Sequence, residues 1–118
     1  MKAEETIYSV LSADAGIDAI CGDRIYPDAR PAETGVLPAI VFQRSDTEVT
    51  QGLSGAVLAQ RALIQIACLA TLRADAEGLA DVVVTIAAAQ GWVYLNRTAA
   101  FEPESEIYVA AIDVQLQE

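Results

Sequence analysis

Apolar residues fall at helical spacing near the start of the chain. Ile7, Val10 and Leu11 occupy positions i, i+3 and i+4 within residues 3–13, and Glu4 with Glu5 sit where a helix favours negative charge. This pattern predicts a helix over 3–13. Gly16 interrupts it, and Ile17 with Ile20 predicts a second short helical turn ending at Gly22. The segment Asp23–Pro27 and the following Asp28–Leu37, with Pro31 and Gly35, read as a surface-crossing connection. From Pro38 the pattern turns to strand. Ala39–Ser45 is rich in β-formers, and Val57–Leu69 alternates, with Ala62, Ile64, Ile66 and Cys68 on one face and Arg61, Leu63, Gln65 and Ala67 on the other. The eleven residues Asp46–Ala56 between them are mostly polar and hold two glycines, so they read as a long, flexible hairpin tip.

The period then returns to that of a helix. Thr71 is placed to cap it, Asp75 and Glu77 suit its first turns, and Leu72, Ala76, Leu79, Val83, Ile86 and Gln90 share one face up to Gly91. Trp92–Arg97 reads as a short strand, Thr98–Glu104 as a turn containing Pro103, and Glu106–Gln117 as the last strand. In that strand Tyr108, Ala110, Ile112, Val114 and Leu116 form one face. The other face, Ile107, Val109, Ala111, Asp113 and Gln115, is apolar at its start and polar at its end. Helices covering one side of the sheet leave this second side half exposed, which suggests contact with another subunit. The fold class that follows is α+β. It is one domain over 1–118, an antiparallel or mixed four- to five-stranded sheet packed against an N-terminal helix and one long helix at about 71–90.

Composition narrows the chemistry. The chain has 118 residues, of which 53% are hydrophobic, but 22 are alanine, and the longest stretch without a charge, Val82–Asn96, is shorter than the roughly 20 residues a membrane-spanning helix needs. Glu4 and Glu5 beside Lys2 are the wrong charge for a secretory leader. There is no histidine, which removes Ser-His-Asp and Cys-His catalysis and imidazole zinc sites. Lys2 is the only lysine, so a Ser-Lys dyad or phosphate-loop lysine has no candidate within the chain's body. Seven basic residues face 17 acidic ones, for a formal charge of −10. Such a chain is repelled by nucleic acid, whose non-specific binding rests on Lys and Arg.

The remaining candidates for chemistry have plain structural readings. Cys21 and Cys68 belong to no metal or redox motif and read as small buried residues in a reducing compartment. Asp14, Asp18, Asp23 and Asp28 lack the spacing of a calcium loop. Gly52 and Gly55 are followed by a strand rather than a Lys-bearing helix, so they mark a turn and not a phosphate cradle. No cofactor or metal is expected. What remains is surface for binding. Arg24, Tyr26, Arg44, Arg61, Leu63 and Gln65 are the candidate interface with another subunit or partner, since isolated cations in so acidic a chain pair with carboxylates within or between subunits. Asp46, Glu48, Gln51, Gly52, Ser54 and Gly55 form the flexible hairpin tip, and Glu102, Glu104 and Glu106 an acidic turn facing solvent, DNA or a partner.

The ordered motifs Gly22–Pro27 (GDRIYP), Leu37–Phe42 (LPAIVF), Leu58–Ile66 (LAQRALIQI) and Arg73–Asp81 (RADAEGLAD) resemble the tail completion, or tail terminator, proteins of long-tailed phages and phage-like gene-transfer particles. The likeness spans about residues 5–117 and departs where family members often place an aromatic, here Leu69 and Leu72. The resemblance implies a non-enzymatic virion protein found at the head-proximal end of the tail. It implies a homo-hexameric ring that stops tube polymerisation, with the tail tube protein and the head–tail connector or neck protein as partners. DNA would pass through the lumen without specific binding, and no membrane would be involved. The alternatives are a small acidic adaptor or inhibitor of a basic host protein, or a neighbouring tube or connector component.

Overall fold

The computed structural model describes residues 2–28 and 36–117. Two short helices open the chain, α1 (Ala3–Ala13) and α2 (Ala15–Cys21). Asp14 joins them: its Oδ1 accepts a hydrogen bond from the Ile17 amide at 3.0 Å, satisfying one free donor of the new helix. The chain leaves α2 through Gly22 at φ 58°, a conformation that favours glycine.

Next comes β1 (Ile25–Pro27), which pairs in parallel with β2 (Ala39–Gln51) through Ile25↔Ile40, Tyr26↔Val41 and Pro27↔Phe42. The sequence reading made residues 23–27 part of a connection. Three residues are too few for a period to show, and what makes them a strand is a partner over a dozen positions away. The rest of that connection, 29–35, lies outside the described residues.

The hairpin corrects the expectation further. β2 runs to Gln51 and β3 covers Val57–Ala70, with ladder pairs continuing through Glu48↔Arg61 to Gln51↔Val57. Asp46, Glu48 and Gln51 are therefore strand residues rather than part of a flexible tip. The turn proper is Gly52–Ala56, closed by Gly52 N–H to the Ala56 carbonyl at 2.8 Å, with Gly55 at φ 86°. Polarity misled the reading: the arm is polar because water reaches both its faces, while Thr47, Val49 and Thr50 are β-formers. A bulge at Ser45 shifts the register between Arg44 and Asp46.

Helix α3 (Arg73–Gln90) has the expected length and buries Ala76, Leu79, Val83 and Ile86 of the expected face together with Ala80 and Ala87, while Leu72 and Gln90 at its ends stay exposed. Leu72 rather than Thr71 stands at its N-cap, and no side chain caps it. Its stability therefore comes from the buried stripe more than from its start. Gly91, at φ 77°, ends it in the left-handed conformation that helix C-termini favour. Strand β4 (Val93–Glu102) outruns the expected Trp92–Arg97 and absorbs most of the expected turn, which shrinks to Pro103–Glu106 before β5 (Ile107–Gln117). Edge strands exposed on both faces carry little alternation, so Thr98–Phe101 looked like a turn.

The sheet order is β1-β2-β3-β5-β4, antiparallel except for β1 with β2. All three helices lie on one side. The core there joins Ile40, Phe42, Ile64, Ile66, Cys68, Ile112 and Val114 from the sheet to Ile7, Leu11, Ile17, Cys21, Leu79 and Val83 from the helices. Both cysteines are free and buried. Loss of solvation, with Cys21 nearby, pushes the Cys68 thiol up to about 12, and burial raises Cys21 too. Both therefore stay neutral at ordinary pH and have the character of packing residues.

Candidate assembly surface

Register fixes which residues share the uncovered side of the sheet. Running across the strands, one row holds Gln43, Gln65, Asp113 and Asn96, the next Tyr26, Val41, Ala67, Ala111 and Thr98, and the next Leu69, Val109 and Ala100. Leu63, Gln65, Ala67, Leu69, Val109, Asp113 and Gln115 are only half-buried. Amides bridge across this face: Gln43 Nε2 donates to Gln65 Oε1 at 3.4 Å, and Gln115 Nε2 to Glu48 Oε2 at 2.8 Å. The face is thus small, apolar and amide-rich, with carboxylates at Asp46, Glu48, Glu102 and Asp113 against one guanidinium, Arg61.

Of the six residues singled out from sequence, the structure gathers four on this side. Tyr26, Leu63 and Gln65 lie within it, and Arg61 stands at its end between Glu48 and Gln117. Arg61 is exposed and forms no ion pair among the described residues. Arg44 is on the opposite side. It grips Glu4 of α1 with two hydrogen bonds, Nη2 to Oε1 at 2.6 Å and Nε to Oε2 at 3.2 Å, and donates to Thr47 Oγ1 at 2.8 Å. Arg24 donates from Nε to the Pro38 carbonyl at 2.9 Å, fixing the entry to β2. Both of these arginines hold the subunit together.

The hairpin extends past the rest of the sheet. β5 ends opposite Arg61, so Val57–Gln60 pair only with the end of β2. This two-stranded arm exposes Val49 and Val57, and Leu53 at its tip is fully exposed at 112%. The turn bearing Glu104 and Glu106 is at the other end of the strands. There Glu102 accepts from Ser105 Oγ at 3.1 Å, and Glu106 has a left-handed backbone at φ 57°.

Sequence reasoning missed what the two ends of β4 do. Arg97 clamps the strand to α3, pairing with Asp81 at 2.8 Å and with Glu77. The hydrogen bonds it donates to Asp81 and Glu77 hold its guanidinium more firmly protonated than usual. Toward the strand's end Phe101 packs on Tyr108 at 4.6 Å between ring centres, and Arg73 lies over the Tyr108 ring at 5.5 Å. At its start Val93, Tyr94 and Leu95 stay exposed. Among the described residues no group of three or more His, Cys, Asp or Glu side chains could hold a metal, and no helix is long and apolar enough to cross a membrane.

Comparison with curated protein sequences finds no match. Among solved structures, a chain in the virion of a native gene transfer agent particle is similar in fold. Its TM-score is 0.74 at 16% identity, covering 94% of this chain and 90% of that one. The family model for tail completion protein gp17 matches residues 5–116, nearly the whole chain. This protein therefore belongs to the tail completion protein gp17 family and is a structural component of a phage-type tail.

Proposed function

We propose that the protein caps the head-proximal end of the tail tube as a homo-hexameric ring, ends tube polymerisation and forms the tail side of the joint with the head connector. The observation that carries this reading is the one-sided architecture: helices cover one face of the sheet, while a half-exposed face and a two-stranded arm have no cover among the described residues. A domain built only to fold would not extend such an arm, because an isolated two-stranded ribbon is at best marginally stable in water. A ring of identical subunits uses different patches on its two sides, and a chain with two dissimilar free surfaces meets that requirement. The work is differential binding to a tube end. Catalysis has no part in it, in keeping with the empty catalytic inventory of the sequence.

The charge pattern suits a conduit. The open face carries carboxylates and amides with Arg61 as its one cation, so DNA passing it meets repulsion rather than anchoring. Six copies at −10 each sum to about −60, which opposes assembly at low ionic strength. Salt, by shortening the Debye length to about 8 Å near 0.15 M, favours the ring.

Sedimentation velocity over a wide concentration range at two salt levels tests this reading. A discrete six-fold species, more populated at higher salt and never growing into longer polymers, is expected. Long stacked polymers would make the chain a tube subunit instead. A strict monomer that forms a tight one-to-one complex with a basic protein, and does not bind purified tube ends, would make it an adaptor.

A further inference from the structure

The five-stranded order leaves two free edges, and they differ in kind. One is β4, ten residues long, whose outer side has no partner among the described residues. Proteins protect such edges with proline, lysine or inward-pointing charge. Between Val93 and Phe101 this strand has neither proline nor lysine, and its one charge, Arg97, is occupied by Glu77 and Asp81. A bulge at Leu95 is its only irregularity. No Asp or Glu occurs anywhere from Val82 to Phe101, a twenty-residue acid-free run in an acidic chain. The other free edge belongs to β2. Among the described residues β1 covers only Ile40–Phe42 and nothing pairs with the outer side from Gln43 to Gln51, a stretch that carries Asp46 and Glu48.

We infer that the outer edge of β4 in one copy pairs with the Gln43–Gln51 edge of β2 in the next copy, as antiparallel strands, making one continuous sheet around the assembly. The inference rests on the ring reading above and names the surface that closes it. Strand direction supports it. β3 runs opposite to β2, β5 opposite to β3 and β4 opposite to β5, so β4 runs opposite to β2. Copies related by rotation about an axis roughly along the strands keep their directions, and the alternation continues unbroken across the junction. Charge selects the same pairing. Two β2 edges side by side would bring four carboxylates together, whereas β4 offers no carboxylate before its last residue, Glu102. Length agrees as well, with nine open residues on β2 against ten on β4.

The overhang supplies the stagger that closing a sheet demands. Followed across the ladder, Val93 stands level with Gln115, Leu63 and Asp46. Thr47–Gln51 thus project beyond the start of β4 in the same subunit. With the neighbour's β4 displaced along the strands, the arm gains a third strand, and the exposed Val93, Tyr94 and Leu95 gain cover.

Cysteine cross-linking in the whole protein tests this, since both native thiols are buried. Cysteines would be placed on the open side of β4 at Thr98→Cys or Ala100→Cys, and on the same side of β2 at Gln43→Cys or Thr50→Cys, then oxidised at about 0.5 M salt to screen repulsion. A mixture of one β4 variant and one β2 variant is expected to give a cross-linked pair, and a chain carrying both a ladder of species ending at the ring. A β4 variant that cross-links with itself would show two-fold pairing and overturn the inference. Absence of any cross-link, while sedimentation still shows the six-fold species, would overturn the edge pairing and leave the ring intact. Absence of both would overturn the two together.

Discussion

The middle of the sheet and its periphery are built on opposite logics. At the centre, β3 alternates cleanly: Ala62, Ile64, Ile66 and Cys68 are buried under the helices, and Leu63, Gln65 and Ala67 are half-buried behind them. At the periphery, the arm of β2 and nearly all of β4 are exposed on both faces. The centre owes its structure to burial within the subunit. The periphery owes its structure to hydrogen bonding to one neighbour strand, plus a few clamps such as Arg97 on α3 and Arg44 on α1. Stability and assembly should therefore respond to different mutations, and each variant below is chosen to separate them.

The largest effect belongs to the centre. Ile66 is fully buried between β2 and β5, and Ile66→Ala is expected to cost about 2–5 kcal/mol, through lost transfer energy and the cavity left behind. Urea unfolding followed by circular dichroism measures it. A loss below about 0.5 kcal/mol, typical of surface substitutions, would mean the centre is no more critical than the arm.

Cys68 gives the same region a pH dependence. Its thiol is raised from 9.0 to about 12 by burial, and next by Cys21 nearby, so the unfolded chain releases this proton at lower pH than the folded one. The folded state then holds more protons between those values, and stability falls as pH rises through that window. The slope approaches about 1.4 kcal/mol per pH unit for this one group. Unfolding midpoints of the parent and of Cys68→Ala, compared from pH 8 toward 11, isolate it. The parent should lose more stability than the variant, and parallel curves would show that the thiol reaches water.

Arg97→Met tests whether the edge strand depends on its clamp. The guanidinium is about a quarter exposed and pairs with two carboxylates that are themselves partly or mostly exposed, so a cost of about 1 kcal/mol is expected. Hydrogen exchange should rise in β4 and at the start of α3 before it rises in β3. Uniform exchange across the sheet would show that β4 is held by the ladder alone.

What the sequence made legible follows the same division. Elements with one buried face announced themselves: α1, α3, β3 and the buried side of β5 matched their periodic residues to within a residue or two. Elements lacking that asymmetry did not. The arm looked like a loop because Asp46, Glu48 and Gln51 are polar, β4 looked half as long as it is, and β1 depends wholly on its pairing with β2. The candidate surface was half legible for a related reason. Alternation identified Leu63 and Gln65 as the back of a strand, but nothing local separated Arg61, which has no ion pair among the described residues, from Arg44, whose partner Glu4 lies forty positions away.

The smallest effect on stability should accompany a large effect on assembly, and it lies in the arm. Val49 and Leu53 are exposed and pack against little in the subunit, so Val49→Ser with Leu53→Ser should shift the unfolding midpoint by less than about 0.5 kcal/mol. If these side chains find their cover on a neighbouring subunit or on the tube, the same double variant should weaken self-association or tube-end capping about tenfold or more, since burying each such group against a partner is worth about 1.5–3 kcal/mol. Sedimentation velocity and unfolding of the same preparation give both numbers. A variant that lost stability and assembly together would erase the division between centre and periphery. One that assembled normally would leave the arm without the partner its exposed side chains call for, and would shift the interface to the open face at Leu63 and Gln65.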